Sequence, residues 1–138
     1  MQNVKLAGSC LCGSIRYVME GEPKFFNHCH CSRCRKATGT GHASNILFAP
    51  ASIEWQSGEE LLKSYKVPDA KRFTAQFCSN CGSLMPRVAP DGSFGVLPAG
   101  TLDEEPGIEV TGRIFQDSRT QWSCHGDNLA CFETYPGA

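Results

Sequence analysis

The sequence predicts a mainly β protein that folds as a single domain over residues 1–138. Short stretches alternate apolar and polar residues with a period of two, and turns rich in Gly and Pro separate them. A chain of 138 residues is long enough to bury one hydrophobic core. Nine cysteines, most of them closely spaced, are the third observation. We therefore expect a small β domain that binds metal through its thiols.

The alternation is clearest in residues 14–20, where Ile15, Tyr17 and Met19 share one face. Residues 71–77 repeat the pattern with Phe73, Ala75 and Phe77 on one face. Further strands are predicted at residues 45–49, 53–55, 93–99 and 107–115. Turns are predicted where Gly and Pro interrupt these stretches, at residues 21–23, 90–92 and 106–107.

A short helix is predicted at residues 32–38, directly after Cys31. Gly39 follows this stretch, and glycine commonly ends a helix because it adopts the left-handed conformation without strain. Residues 58–65 could add one further helical turn. The helical content should therefore be small, which agrees with a β-rich fold.

Composition and charge exclude several classes of protein. Apolar residues make up 41% of the chain, charged residues 20%, and the formal net charge is -1. A general nucleic-acid binder would need a surplus of Lys and Arg, so we expect no nucleic-acid partner. No run approaches the roughly 20 apolar residues of a membrane span, and the N-terminal residues lack the apolar core of a signal peptide. We expect a cytoplasmic protein that does not bind membranes.

Two cysteine pairs have the spacing of a structural zinc site. Cys78 and Cys81 form a Cys-x-x-Cys-Gly turn, which supplies two of the four ligands that a tetrahedral zinc needs. Cys10 and Cys12 form the second pair and precede a predicted strand. Joining the pairs would link the start of the domain to its middle and couple metal binding to folding. The alternative is two separate buried or redox-active pairs.

The central cysteines, Cys29, Cys31 and Cys34, offer three thiols to one metal. Three protein ligands with an open fourth position are typical of a catalytic zinc site. Two alternatives remain open at this point. Cys34 could join one of the other pairs, or Cys124 or Cys131 could close the central site as its fourth ligand.

The histidines are weaker candidates for ligands. His28 and His30 alternate with the central cysteines, so in an extended segment they should point away from a metal that those cysteines bind. We expect them to form hydrogen bonds to a thiolate more readily than to bind the metal. His42 and His125 could act in acid–base catalysis, although ordinary loop histidines would look the same.

Three cations lie within the same segment, namely Arg33, Arg35 and Lys36. Zinc bound by three thiolates carries a net charge near -1, which makes it a weak Lewis acid that favours binding and deprotonating a thiol. Nearby cations would stabilise such a centre and could also bind the carboxylates of an anionic substrate. The alternative is a solvated basic loop.

The order of these motifs resembles the glutathione-dependent formaldehyde-activating (GFA) enzyme family, which shares its domain with centromere protein V. The similar blocks are "GSCLCGSIRYVMEG", "NHCHCSRCRKATGTGHAS", "FCSNCGSLMPR", "PAGTLDEEPG" and "DSRTQW", and together they extend over nearly the whole chain. The resemblance implies several coiled antiparallel β-sheets, as in methionine sulfoxide reductase B (the beta-tent type). It also implies two zinc ions per chain, one structural (Cys10, Cys12, Cys78 and Cys81) and one catalytic (Cys29, Cys31 and Cys34).

The activity that this resemblance implies is that of a carbon–sulfur lyase acting in reverse, which joins glutathione to formaldehyde as S-hydroxymethylglutathione. Two features depart from the family pattern. Arg113-Ile114 stands where the family often has His-Ile, and the tail carries two additional cysteines, Cys124 and Cys131. The competing hypothesis is a non-catalytic binding module in which both zincs are structural. A thiol-based redox protein ranks last, because no Cys-x-x-Cys lies at a helix start in a βαβ context.

Overall fold

A computed structural model describes residues 2–123 and 129–137. Within these residues the protein is mainly β with antiparallel sheets and little helix, which confirms the predicted fold class. The strands in chain order are β1 (Val4–Ser9), β2 (Arg16–Cys29), β3 (Ala43–Ser57), β4 (Leu62–Lys66), β5 (Thr74–Cys78), β6 (Leu84–Met85), β7 (Arg87–Val88), β8 (Gly95–Pro98) and β9 (Gly112–Ile114). Helix α1 spans Ser32–Thr38.

The described strands form two sheets. The larger sheet has the order β1-β2-β3-β8-β7, and β9 pairs in parallel with the end of β2. The smaller sheet has the order β4-β5-β6 and is antiparallel. Among the described residues, no helix combines the length and the apolar character that crossing a membrane requires.

The hairpin of β2 and β3 is much longer than the sequence predicts. The pairing runs from Arg16 opposite Ser57 to Cys29 opposite Ala43. The turn predicted at residues 21–23 is wrong, because β2 continues through this stretch with shifts of register on either side of Pro23. Such bulges let a strand accommodate an irregularity without ending. The strands predicted at 45–49 and 53–55 are likewise parts of the single strand β3.

Of the other local predictions, the helix and the turn at residues 90–92 are confirmed, and two elements are shorter than predicted. Helix α1 has the predicted bounds and ends at Gly39, whose φ is 70°. The turn at residues 90–92 is present, with a hydrogen bond of 2.8 Å from Gly92 N to Ala89 O. Residues 58–65 contain only a 3-10 turn at Glu59–Leu61 before β4 begins. Of residues 107–115, only Gly112–Ile114 is a strand, since these residues alone pair with β2.

The main core lies between the sheets. Ile15, Tyr17 and Met19 are fully buried, as the alternation in residues 14–20 predicts. Phe48 of β3 and Leu97 of β8 are also fully buried in this core. Cys78 and Met85 of the smaller sheet are also part of this cluster. The cluster therefore holds the two sheets together, which fixes the positions of the cysteines at their ends.

Candidate metal centres and an adjoining cavity

The first candidate metal centre is the four-thiol group, formed by Cys10, Cys12, Cys78 and Cys81. Their sulfur atoms all lie within 4.8 Å of one another. Cys10 Sγ lies 3.5 Å from Cys12 Sγ, and Cys12 Sγ lies 4.0 Å from Cys78 Sγ. In a tetrahedral zinc site with Zn–S bonds near 2.3 Å, the sulfurs are about 3.8 Å apart. The measured separations fit that geometry.

Two similar turns hold the four-thiol group together. Gly13 N donates to Cys10 O at 3.0 Å, and Gly82 N donates to Cys78 O at 2.7 Å. Both glycines have φ near the left-handed region, 79° and 81°. Side chains at these positions would be strained, whereas glycine closes each turn freely. Ser83 connects the turns, because its Oγ accepts from Leu11 N at 2.9 Å.

Hydrogen bonds favour the thiolate form at two of these cysteines. The side chain of Ser83 lowers the pKa of Cys81 to about 5, and that of Ser14 lowers the pKa of Cys12 to about 7. Burial acts in the opposite direction and raises the pKa of Cys78. A divalent cation would resolve this conflict, because it stabilises the buried thiolate as well as the exposed ones.

The second candidate metal centre is the three-thiol group, formed by Cys29, Cys31 and Cys34. Cys29 ends β2, Cys31 caps α1 and Cys34 lies within the helix. Their sulfur atoms also lie within 4.8 Å of one another. The N–H of Cys34 donates to Cys31 Sγ at 3.2 Å, which orients the Cys31 side chain. The strand end and the following helix thus bring three thiols to one point.

The pKa values of two cysteines in this group are shifted in opposite directions. A hydrogen bond from Cys34 lowers the pKa of Cys29 to about 6. The same interaction, together with burial, raises the pKa of Cys34 far above its usual range. Three negative charges at this spacing repel one another, so full ionisation needs a cation among the sulfurs. The donor set suits zinc, whose preferred protein ligands include thiolates.

A cavity of about 310 Å³ lies beside the three-thiol group, and Cys29 and Cys34 form part of its wall. The rest of the wall comes from both sheets and from α1. Apolar side chains predominate, among them Leu47, Phe73, Leu84, Met85 and Val96. Three amides also line it, those of Asn27, Asn45 and Gln76. Asn27 and Asn45 lie opposite each other on β2 and β3, whereas the Gln76 amide donates to Pro86 O at 2.8 Å.

The three cationic residues that were predicted to bind substrate, Arg33, Arg35 and Lys36, lie on α1 and are not among the residues that line this cavity. Arg33 is exposed and forms an ion pair of 3.5 Å with Asp69. Lys36 is also exposed. The Nε atom of Arg35 is buried, with no hydrogen-bond partner among the described residues. The three side chains are thus near the three-thiol group in sequence, and their role in substrate binding stays a prediction.

Three histidines form a cluster that the sequence did not predict. The ring of His28 stacks on that of His42 at 4.1 Å, and the ring of His30 lies 5.1 Å from that of His42. His28 Nδ1 lies 2.9 Å from Ser44 Oγ, so the partner of this nitrogen is a hydroxyl and not a thiolate. Burial lowers the pKa of both His28 and His30. The alternation of His28 and His30 with the central cysteines was the available sequence signal, whereas the approach of His42 depends on the pairing of β2 with β3.

The remaining candidates lie apart from the three-thiol group or beyond the described residues. Cys131 is exposed, and its thiol lies 3.6 Å from the carbonyl oxygen of Leu129. It does not belong to either sulfur group in the part of the chain that the structure describes. Cys124 and His125, proposed above as a ligand and an acid–base group, lie outside the described residues.

Comparison with known proteins gives consistent matches. A family model described as "Glutathione-dependent formaldehyde-activating enzyme" matches residues 5–118. A Halomonas elongata protein assigned by name to the same activity is 35% identical over 85 residues, which is 58% of this chain and 54% of that protein. The chain thus spans about half the length of this curated relative. A Rhodobacter sphaeroides protein of known crystal structure shares the fold, with a TM-score of 0.52, 20% identity, and coverage of 78% of this chain and 99% of that one.

Proposed function

Since the chain belongs to the glutathione-dependent formaldehyde-activating enzyme family, we propose that it is a zinc enzyme that adds a thiol, glutathione, to an aldehyde such as formaldehyde. The reaction is formally that of a carbon–sulfur lyase in reverse. The observation that carries this proposal is the separation of the thiols into a four-thiol group and a three-thiol group beside a cavity. A complete tetrahedral set suits a structural metal, whereas an incomplete set beside a cavity suits a catalytic one.

The cysteines divide accordingly. Cys10, Cys12, Cys78 and Cys81 would hold the structural zinc, and Cys29, Cys31 and Cys34 the catalytic zinc. Held by the three thiolates of Cys29, Cys31 and Cys34, zinc would supply a Lewis acid that favours the deprotonated form of a substrate thiol. We place the protein in the cytoplasm, where a reducing environment keeps such thiols available as ligands.

The step itself balances without an oxidant or a reductant. The thiol sulfur forms a bond to the carbonyl carbon, the π bond of the carbonyl breaks onto its oxygen, and the proton of the thiol ends on that oxygen. The product is a hemithioacetal. Within the cavity wall, we assign the amides of Asn27 and Asn45 to orient the carbonyl oxygen, because hydrogen-bond donors aimed at developing negative charge stabilise it. Arg33, Arg35 and Lys36 on α1 would attract the carboxylates of glutathione.

Native mass spectrometry with and without glutathione tests the proposal, using Cys31→Ser and the matched control Cys131→Ser. We expect two zinc ions per chain and a glutathione adduct in the parent protein and in the control, whose exposed Cys131 is outside both groups. Cys31→Ser should lose one zinc and the adduct. If Cys31→Ser keeps both zincs and binds glutathione as the parent does, the catalytic assignment is wrong. Two zincs that bind no small thiol in any variant would indicate the binding module instead.

A further inference from the structure

The cavity beside the three-thiol group is apolar to a degree that formaldehyde does not require. Leu47 of β3, Leu84 and Met85 of β6, Val96 of β8 and Phe73 just before β5 converge on its wall. Cys29 and Cys34 lie on the same wall, so a group that fills the cavity lies directly beside the thiols. Apolar walls favour apolar occupants, because burial removes both surfaces from water.

The size of the cavity points the same way. Its volume of about 310 Å³ is about twice that of an engineered apolar cavity of roughly 150 Å³ that binds benzene. Formaldehyde has a single carbon and would leave most of this space without a partner. A larger apolar occupant removes more of this wall from water and gains dispersion contacts, so it gains binding energy that formaldehyde does not.

Charge argues against placing glutathione itself in the cavity. Glutathione carries two carboxylates and an amine, and burying these groups without partners is costly. Among the described residues that line the cavity, Arg87 is the one cationic side chain, and its guanidinium lies 5.4 Å from the centre of the Phe94 ring. The ionic parts of glutathione are therefore better placed outside, near the solvent-exposed Arg33 and Lys36. The cavity is left for the other reactant.

We infer that the aldehyde substrate has about six to nine carbons in all and carries an aliphatic or aromatic group that occupies this cavity while its carbonyl lies beside Cys29 and Cys34. The inference rests on the proposed addition of a thiol to an aldehyde and specifies its substrate class. The bond changes are those given above, with sulfur joined to the carbonyl carbon and the proton transferred to the carbonyl oxygen.

Kinetics on the zinc-loaded protein test the substrate class. With glutathione held constant, the rates of adduct formation for hexanal and for formaldehyde are each divided by the uncatalysed rate. We expect the enhancement for hexanal to exceed that for formaldehyde by roughly tenfold or more, since even single methylenes are discriminated strongly in apolar pockets. Ala75→Phe, which places a ring in the cavity wall, should abolish this preference. Ala130→Phe, an equal change at an exposed position outside the wall, should keep it.

A second measurement locates the apolar group in the parent protein itself and uses a conservative variant only to assign the resonance. Met85 lines the cavity, whereas Met19 is fully buried in the main core. With methionine methyl groups labelled by ¹³C, the unreactive analogue 1-hexanol should shift the Met85 resonance of the parent protein and leave that of Met19 in place. Loss of one resonance in Met85→Leu gives the assignment.

The outcomes separate the two proposals. An equal or larger enhancement for formaldehyde overturns the inference and leaves the proposed function standing. A preference for hexanal with an unmoved Met85 resonance also overturns the inference, because the apolar group would then bind elsewhere. Acceleration of no aldehyde overturns the proposed function and, with it, the substrate class. A preference for hexanal together with a shifted Met85 resonance supports both.

Discussion

At the scale of single residues, the four-thiol group concentrates stability in a few atoms. Cys78 is fully buried and belongs to both the main core and the sulfur group. Replacing it by serine removes one of the proposed zinc ligands and leaves a hydroxyl in an apolar site. We expect Cys78→Ser to lower the free energy of unfolding of the zinc-loaded protein by about 3 kcal/mol or more.

Denaturant unfolding with a parallel measurement of zinc content checks this prediction. Cys131→Ser is the matched control, because Cys131 is exposed and outside both sulfur groups. Its free energy of unfolding should stay within about 0.5 kcal/mol of the parent. Equal unfolding midpoints for the two variants would contradict a structural role for the four-thiol group.

The buried Tyr17 should make the free energy of unfolding depend on pH in the alkaline range. Its side chain is fully buried, its hydroxyl lies 2.6 Å from Thr101 Oγ1, and burial raises its pKa to about 12. An unfolded tyrosine has a pKa near 10. Between these values the unfolded chain binds fewer protons than the folded one, so the free energy of unfolding should fall by up to roughly 1.4 kcal/mol per pH unit. Below pH 10 this contribution is fully present.

Unfolding experiments from pH 9 to pH 12 on Tyr17→Phe would isolate this effect, because phenylalanine carries no titrating hydroxyl. The variant should show a shallower decline than the parent over this interval. Tyr65→Phe is the control, since Tyr65 is 58% exposed and should leave the decline unchanged. Identical slopes in the parent and Tyr17→Phe would show that Tyr17 does not keep its proton in the folded state.

At the scale of elements, α1 depends on the glycine that ends it. Gly39 has φ 70°, and its N–H donates to Arg35 O at 2.8 Å. A Cβ at this position would meet no atom within 4 Å, so the cost of a side chain is one of backbone conformation alone. We expect Gly39→Ala to lower the free energy of unfolding by about 1 kcal/mol.

Gly100→Ala provides the control for this comparison. A Cβ at Gly100 also meets nothing within 4 Å, and its φ lies outside the left-handed region. Urea unfolding should therefore place Gly100→Ala within about 0.5 kcal/mol of the parent. If the two alanine variants are equally stable, the left-handed end of α1 is not what Gly39 supplies.

The elements also show which predictions can be made from sequence. The alternation around Tyr17 and the helix before Gly39 were predicted, because both patterns are local. The turn at residues 21–23 was wrong for a reason that lies far away in sequence. Gly21 pairs with Ala51, and a Cβ on Gly21 would overlap the Pro50 carbonyl oxygen. This glycine permits the close approach of a neighbouring strand. Because Gly followed two residues later by Pro is also typical of a turn, the sequence alone does not distinguish the two roles.

At the scale of the whole molecule, the candidate site also combines local features that were predicted with features that depend on residues distant in sequence. The grouping of the cysteines was predicted from spacing, because each Cys-containing turn is a local structure. Two pairs of cysteines together also supply the four ligands of a tetrahedral site. The cavity was not predicted, because Leu47, Phe73, Met85 and Val96 meet only after both sheets have packed together. The histidine cluster depends in the same way on the register of β2 and β3.

The four-thiol group connects the two sheets, since Cys10 and Cys12 follow β1 of the larger sheet and Cys78 ends β5 of the smaller one. The smaller sheet is the less buried of the two, and most of β4 is exposed. Removing the proposed structural zinc with a chelator should therefore loosen β4 and β5 before it affects the long hairpin of β2 and β3. Elements with few buried contacts open at low free energy, whereas core strands open only with global unfolding.

Amide hydrogen exchange before and after chelation measures this order directly. We expect the protection of β4 and β5 to fall by at least roughly a hundredfold, while amides in β2 near Tyr17 and Met19 change much less. Adding zinc back should restore the original protection, which distinguishes metal loss from damage to the protein. A uniform loss across both sheets would mean that the metal stabilises only the global fold. No change in either sheet would mean that packing around Cys78 and Met85 holds the smaller sheet without metal.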